Sequence, residues 1–379
     1  MKVFLYIVSC LAILVSNLHA IENAPETGTP LKKALIFGVT GQDGIYLAEF
    51  LLDKNYEVHG VKRSDSKKNA NCIDMLLGRN SDEKQRFVVH YGDLRDKVNT
   101  NNLICTIMPD EVYNLAAQSH VKDSFDVPAY TIDVNGLGVL HILESIRMLN
   151  TEKSIRFYQA STSELFGKVH EIPQTELTPF YPRSPYGVAK LCAHWISINY
   201  REAYNVFSCN GILFNHESPL RDETFVTRKI TLAASRYKYG LQDILYIGNL
   251  NAKRDWGYAK DYVEVMWLML QQSTPEDYVI ATGINHTVRE FIEQAYKYIG
   301  VDIKWYESDQ NEYGIDTKTG KVIVAVKPEF FRPTEVDVVL GNAEKARNSL
   351  KWMPKTSFNE LLQIMMESDL KKISKEIER

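Results

Sequence analysis

Apolar residues recur along the first half of the chain in two alternating rhythms. Nearly unbroken apolar runs at Lys33–Phe37, Glu57–Val61, Phe87–His90, Glu111–Leu115 and Ile155–Ala160 predict strands. Between them, Ile45–Lys54, a segment closing at Leu103–Met108 before Pro109, Tyr130–Met148 and Pro185–Tyr204 carry apolar residues every three to four positions and predict helices. Strands this apolar are covered on both faces, and short links between strand and helix favour a parallel sheet. Beyond Leu213 the alternation loosens. Helix-like Phe225–Tyr239, strands near Ile244 and Ile323, and amphipathic Phe358–Ile373 predict a smaller mixed part.

The chain has 379 residues, 45% hydrophobic and 24% charged, enough for one large α/β domain and a smaller companion. A formal net charge of -4 advertises no basic face, so nucleic acid is not an expected partner. Five cysteines, at 10, 72, 105, 192 and 209, lie far apart without metal-ligand spacing, and no metal is expected. Lys2 precedes an apolar run from Val3 to Val15 and a small residue, Ala20, making residues 1–20 a signal-like segment. Residues 21–32 read as a linker. The leader suggests the secretory pathway, whereas the rest of the chain has a cytosolic character.

The turn after the first strand reads Gly38-Val39-Thr40-Gly41-Gln42-Asp43-Gly44. Gly38 permits a tight turn, Gly41 allows close approach of a pyrophosphate, and Gly44 lets the helix pack against the sheet. The helix start then offers free N–H groups to phosphates. Together with the alternation, this predicts a Rossmann-type doubly wound parallel sheet, with a smaller mixed α/β substrate-binding domain. The second strand ends in Lys62-Arg63 rather than a carboxylate, which favours NADP over NAD. Asp93-Leu94 and Leu115-Ala116-Ala117 end the next two strands and border the same crevice.

Tyr186 and Lys190 stand at i and i+4, on one helical face. An ammonium one turn away is expected to favour the phenolate and lower the tyrosine pKa. Upstream, Thr162 and Glu164 are two residues apart, so on an extended segment both point into the crevice. Thr162 suits a substrate oxygen. Glu164 adds a second proton-transfer group, with a turn or capping carboxylate as the plainer reading.

The chain resembles the extended short-chain dehydrogenase/reductases and, within them, the GDP-mannose 4,6-dehydratase family. The resemblance runs from about Lys33 to the C-terminal helix. It is carried by GVTGQDGIYLAEFL from Gly38, HYGDL from His90, PDEVYNLAAQSHV from Pro109 and RFYQASTSELFG from Arg156. Further carriers are PFYPRSPYGVAK from Pro179, NGILFNHESP from Asn210, ETFVTRKI from Glu223, RDWGYAKDYV from Arg254 and FFRPTEVD from Phe330.

The resemblance implies catalysis by Thr162, Glu164, Tyr186 and Lys190. It implies NADP against Gly38, Val39, Thr40, Gly41, Gln42, Asp43, Arg63, Asp93, Leu94, Leu115, Ala116, Ala117, Gln118, Ser119, Tyr130, Lys190, His216 and Arg221. GDP-mannose would lie against Asn215, Lys229, Arg254, Arg332 and Glu335. The implied reaction is a hydro-lyase reaction giving GDP-4-dehydro-6-deoxy-mannose, the first step towards GDP-fucose and other GDP-deoxyhexoses. It implies a cytoplasmic homo-oligomer, dimer or tetramer, that feeds a downstream epimerase/reductase. The expected NADP-binding domain is 33–215 with about 257–283 returning to it, and 216–256 with 284–373 form the sugar-nucleotide domain. The alternatives are a related nucleotide-sugar dehydratase or epimerase, and a catalytically silent NADP-binding regulator. The chain departs from the family at Arg63-Ser64-Asp65, where two consecutive arginines are usual, and in its leader.

Overall fold

In the computed structural model, the described residues are 30–66, 69–78, 86–334, 336 and 338–378. The signal-like segment, most of the expected linker and Glu335 lie outside them. Among the described residues, no helix is long and apolar enough to cross a membrane.

The first six strands are β1 (Lys33–Phe37), β2 (Glu57–Lys62), β3 (Phe87–Tyr91), β4 (Glu111–Asn114), β5 (Arg156–Thr162) and β6 (Phe207–Leu213). Eight shorter strands follow: β7 (Asn215–Glu217), β8 (Leu245–Ile247), β9 (Lys253–Tyr258), β10 (Tyr278–Ile280), β11 (Asn285–Thr287), β12 (Ile303–Tyr306), β13 (Tyr313–Asp316) and β14 (Val322–Val326). A seven-stranded sheet runs β10-β6-β5-β4-β1-β2-β3. All of its pairings are parallel. The order reverses direction between β1 and β4, and such a switch point opens a crevice at the carboxyl ends of the strands.

Alternate residues of β1 feed opposite layers, as the two-residue period of a strand requires. Leu35 and Phe37 pack with Ile104, Val139, Ile142, Leu143 and Ile146. Those partners come from α3 (Lys97–Ile107) and α4 (Gly138–Leu149). Ala34 and Ile36 join Ile45, Leu47, Leu51, Val263, Met266 and Leu270 on the other face. These come from α1 (Gln42–Asp53) and α7 (Ala259–Leu270). Each fully buried branched side chain of this kind stabilises by about 1.5–3 kcal/mol. The doubly covered sheet expected from the pattern is present, and α7 with β10 extends it from beyond residue 250.

The expected continuous helix Tyr130–Met148 is interrupted. Residues Pro128–Ile132 are helical, Asp133–Leu137 form a π turn, and α4 follows. Asn135 in that turn accepts from the Gln118 amide at 2.8 Å and donates to the Gln118 carbonyl at 2.9 Å. The bulge turns one side chain out to clamp the loop after β4, a common use of such bulges at functional sites.

The remaining strands form two mixed sheets, β11-β9-β7 and β12-β13-β14-β8. They enclose a separate core that includes Ile230, Trp256, Phe291, Ile292, Val324, Met365 and Met366. Within it, α6 (Val226–Lys238) is tied to α10 (Phe358–Ile377) by Arg228 and Asp369 at 2.6 Å, both buried. Removing one partner of such a pair costs about 3–5 kcal/mol. The pair sets the rotation of α6 and therefore the direction of its neighbour Lys229.

Candidate active site

The glycine turn begins with Gly38 at φ 86°, a left-handed conformation that favours glycine. A β-carbon there would lie 2.7 Å from the Ala116 nitrogen. At Gly44 it would lie 2.5 Å from the Gly38 carbonyl, so Gly44 serves helix packing and not ligand approach. Gly41 differs: on its β-carbon side the nearest atom is the Gly38 oxygen at 3.4 Å. The helix α1 starts there without a side-chain cap. Its first N–H groups are therefore left without a side-chain acceptor.

Strand β5 delivers Thr162 to the carboxyl edge of the sheet. The chain does not stay extended afterwards, contrary to the sequence expectation, because Ser163–Leu165 form a 3₁₀ turn. The Thr162 hydroxyl accepts from the Glu164 amide at 3.2 Å and so helps to start that turn. Thr162 and Glu164 still reach the same cavity, through the turn rather than through strand alternation.

Helix α5 (Pro185–Tyr204) is opened by Ser184, whose hydroxyl accepts from the Gly187 amide at 3.0 Å. It places Tyr186 and Lys190 on the cavity wall, 9% and 3% exposed. Burial pushes the Tyr186 phenol up to about 12, with the Thr162 hydroxyl pulling against it and the Glu164 carboxylate reinforcing it. Burial also brings the Lys190 ammonium down to about 8, against the attraction of Asp43. The expected lowering of the tyrosine by its lysine is therefore absent in this state. Desolvation of the phenolate outweighs an ammonium that is itself desolvated and bonded to the Ala160 carbonyl at 2.9 Å.

Opposite stands His216. Its Nδ1 lies 2.8 Å from the Phe214 carbonyl and its Nε2 lies 2.9 Å from Asp43 Oδ2. With an acceptor on each nitrogen, the imidazolium is the form that satisfies both. Burial opposes that charge, but the Asp43 carboxylate prevails and the pKa rises. The ring also stacks on Tyr262 at 4.5 Å.

The cavity, about 340 Å³, runs from this corner towards α6 and the segment before residue 334. Cationic side chains line the far part: Lys122, Arg221, Lys229, Arg254 and Arg332. Arg221 is ion-paired with Glu217 at 3.2 Å, and Arg332 with Glu164 at 3.0 Å. Lys229 sits 3.7 Å from the centre of the Phe330 ring. Its pKa is lowered by burial and by Lys122, with Glu329 pulling the other way.

A model of the GDP-mannose 4,6 dehydratase family matches residues 35–365. The chain belongs to this family. It is 55% identical to the GDP-mannose 4,6 dehydratase of Dictyostelium discoideum, over 90% of this chain and 97% of that one. It is 53% identical to the Homo sapiens enzyme, over 91% and 93%. Its fold is similar to a UDP-glucose 4-epimerase from Thermotoga maritima, with TM-score 0.74 at 22% identity, covering 90% and 99%. It is also similar to a dTDP-glucose 4,6-dehydratase from Bacillus anthracis, with TM-score 0.73 at 20% identity, covering 90% and 98%.

Within this member of the GDP-mannose dehydratase family, the cavity gathers Asp43, Leu115, Ala117, Ser119, Thr162, Glu164, Tyr186, Lys190, Asn215, His216, Arg221, Lys229, Arg254 and Arg332. Gly38, Val39, Thr40, Gly41, Gln42, Gly44, Arg63, Asp93, Leu94, Ala116, Gln118 and Tyr130 are not on its wall. Leu94 is in the hydrophobic core, and Asp93 is held by Arg95 at 2.8 Å. Arg63 donates to the Tyr130 hydroxyl at 2.7 Å, joining two residues 67 apart at the end of β2.

Sequence reasoning missed Lys122, Phe330 and Asn135. Lys122 bonds the Glu329 carbonyl and lies 5.8 Å from the Phe330 ring centre. A charged residue in the loop after β4 was the available signal for it. Phe330 opens the FFRPTEVD segment, but its contact with two lysines distant in the chain is not legible there.

Proposed function

We propose that this chain converts GDP-mannose to GDP-4-dehydro-6-deoxy-mannose and water, with NADP held as a resident cofactor. The observation that carries the reading is one cavity shared by Thr162, Glu164, Tyr186 and Lys190 at one end and by Lys229, Arg254 and Arg332 at the other. The first group suits acid–base chemistry on a sugar, and the second suits a diphosphate.

The residues present fit a dinucleotide. Gly41 has room on its β-carbon side, the amides of α1 lack a side-chain cap, and the Asp43 Oδ1 oxygen is buried without a partner among the described residues. Arg63 and Lys62 at the end of β2 support a 2′-phosphate, though Asp65 stands 3.5 Å from Arg63 and competes for it. The structural neighbours include proteins solved with NAD and one solved with NADPH. In this reading, residues 33–215 with about 257–283 hold the cofactor, and 216–256 with 284–373 hold the sugar nucleotide.

When bound, the cofactor would supply a reversible acceptor and donor of hydride for C4 and C6, so that the sugar would undergo no net oxidation. Thr162 holds the C4 oxygen and Tyr186 takes its proton. The resulting ketone acidifies the C5 hydrogen. Glu164 removes that proton and passes it to the C6 hydroxyl, which leaves as water, and Tyr186 returns the C4 hydroxyl proton to C5 as C6 is reduced. Lys190 keeps positive charge beside the phenol. His216, as an imidazolium, offsets the Asp43 carboxylate at the start of α1.

Val188 and Trp195, 50% and 55% exposed on α5, support a homo-oligomer built on that helix. Light scattering at micromolar concentration is expected to report a dimer or tetramer, and a monomer would contradict this. The function is tested by incubating purified protein with GDP-mannose and NADP and weighing the product. Loss of one water with a retained ketone is expected, and UDP- and dTDP-glucose should remain unchanged. Turnover of those sugars instead would favour a related dehydratase or epimerase. Cofactor binding without turnover of any sugar would favour a silent regulator.

A further inference from the structure

The pairing of β4 with β5 ends at Asn114 and Gln159, so the next residue of β5, Ala160, has no ladder partner on that side. Two side chains meet at its carbonyl instead. The Lys190 ammonium donates to it at 2.9 Å, and the Gln159 amide donates to the same oxygen, also at 2.9 Å. Gln159 and Lys190 are both buried, and Ala160 and Lys190 line the cavity while Gln159 does not.

The direction of the Gln159 amide is set by its other neighbour. Its Oε1 accepts from Asn114 Nδ2 at 2.9 Å, which leaves Nε2 for the Ala160 carbonyl. Turned over, the group would set oxygen against oxygen and nitrogen against nitrogen. A carbonyl oxygen has two lone pairs and can accept both donors. Each donor draws on the same oxygen, so neither is held as tightly as it would be alone. The N–H end of the amide dipole also lies beside the ammonium and opposes its charge.

We infer that Gln159 is a positioning residue for Lys190: by sharing the Ala160 carbonyl, it limits how tightly the ammonium is held there. Lys190 then keeps its two remaining N–H donors for the phenol and for ligands in the cavity. Asn114 serves the same end by orienting the amide. This inference rests on the proposed function and on the role of Lys190 in it. The titratable and charged groups around Lys190 are Asp43 from α1, paired with His216 of β7, and Tyr186 on its own helix, with Glu164 and Arg221 beyond the phenol.

The test follows kcat and kcat/KM for GDP-mannose against pH in wild type, Gln159→Met and Gln159→Glu, with folding checked by circular dichroism. Methionine keeps the length and removes the donor. Glutamate still accepts from Asn114 and sets a negative charge beside the ammonium. Both changes favour the charged lysine, so the alkaline limb of kcat/KM should rise in the order wild type, Gln159→Met, Gln159→Glu, by about one unit or more in the last. At neutral pH, kcat of Gln159→Glu should fall about tenfold with KM nearly unchanged, because Gln159 does not line the cavity. Alkaline limbs that coincide in the three proteins, or a limb that falls in either variant, overturn the inference and leave the proposed function standing. A loss confined to KM overturns it as well. If the methionine variant misfolds, the glutamate variant decides, since it retains the Asn114 bond. Wild-type protein that turns over no GDP-mannose defeats the proposed function itself, and this inference falls with it.

Discussion

Lys190 Nζ lies 5.9 Å from the centre of the Tyr186 ring and is bonded to the Ala160 carbonyl, not to the phenol. In the free enzyme the phenol is protonated at neutral pH, with its pKa at about 12, and the ammonium titrates near about 8. Tyr186→Phe should lower turnover by about 10²–10⁴-fold while leaving NADP affinity nearly unchanged, because a base is removed without altering the fold. The pair also predicts pH behaviour. The ammonium is present below about pH 8 and is lost above it, so kcat/KM for the free enzyme should decline on the alkaline side of that point. A profile flat well beyond it would remove Lys190 from its assigned role.

Glu164 separates a dehydratase from a simple dehydrogenase. Glu164→Gln keeps the shape and removes the base. The variant should still oxidise C4 but not eliminate water, so reduced nicotinamide accumulates and 6-deoxy product is scarce. Rapid-scan absorbance with product mass measures both. Normal formation of the 6-deoxy ketone would move the C5 base to another residue. Absence of any reduced nicotinamide would place Glu164 in oxidation or substrate binding.

Arg63 is bonded to Tyr130 and paired with Asp65 at the end of β2. Arg63→Ala is expected to weaken NADP binding far more than NAD binding, since the guanidinium removed is the one proposed to read the 2′-phosphate. Asp65→Ala should act in the opposite direction and tighten NADP by freeing Arg63. Fluorescence titration with both cofactors checks this, and equal losses for the two in Arg63→Ala would show that Arg63 does not read the phosphate.

His194, on the inner side of α5, is 3% exposed and contacts the Ser161 hydroxyl at 3.3 Å. Burial holds its pKa down at about 4, against the attraction of Asp277 and with Arg201 adding to the effect. The unfolded chain, with a histidine near ~6.5, therefore binds the proton more readily between those values. Stability is full above ~6.5 and falls as pH drops to the folded value, by about 3 kcal/mol for a shift of this size. His194→Gln should flatten that part of the melting-temperature profile. An equally steep profile in the variant would assign the acid sensitivity elsewhere.

How much of this was legible beforehand depended on range. The strand β1, the turn at Gly38 and the Tyr186–Lys190 pair are local. Their residues lie within one strand, one turn or one helix, where backbone geometry alone sets which side chains share a face. The apolar runs of β1 to β5 likewise announced a covered parallel sheet, because a strand buried on both faces needs no polar partner residues. The continuous helix expected at Tyr130–Met148 failed for a longer-range reason. Asn135 leaves the helical pattern to clamp Gln118, which belongs to another strand's loop.

What the sequence determined by itself was therefore the sheet, the glycine turn and the candidates for the groups that carry chemistry. Tertiary structure alone decided their partners and their charge states. Arg332 meets Glu164 across 168 residues, and Phe330 meets both Lys122 and Lys229. The direction of the Tyr186 shift was misread because it depends on desolvation. Desolvation is set by everything packed around the phenol, whereas the lysine four residues away is only one of its neighbours.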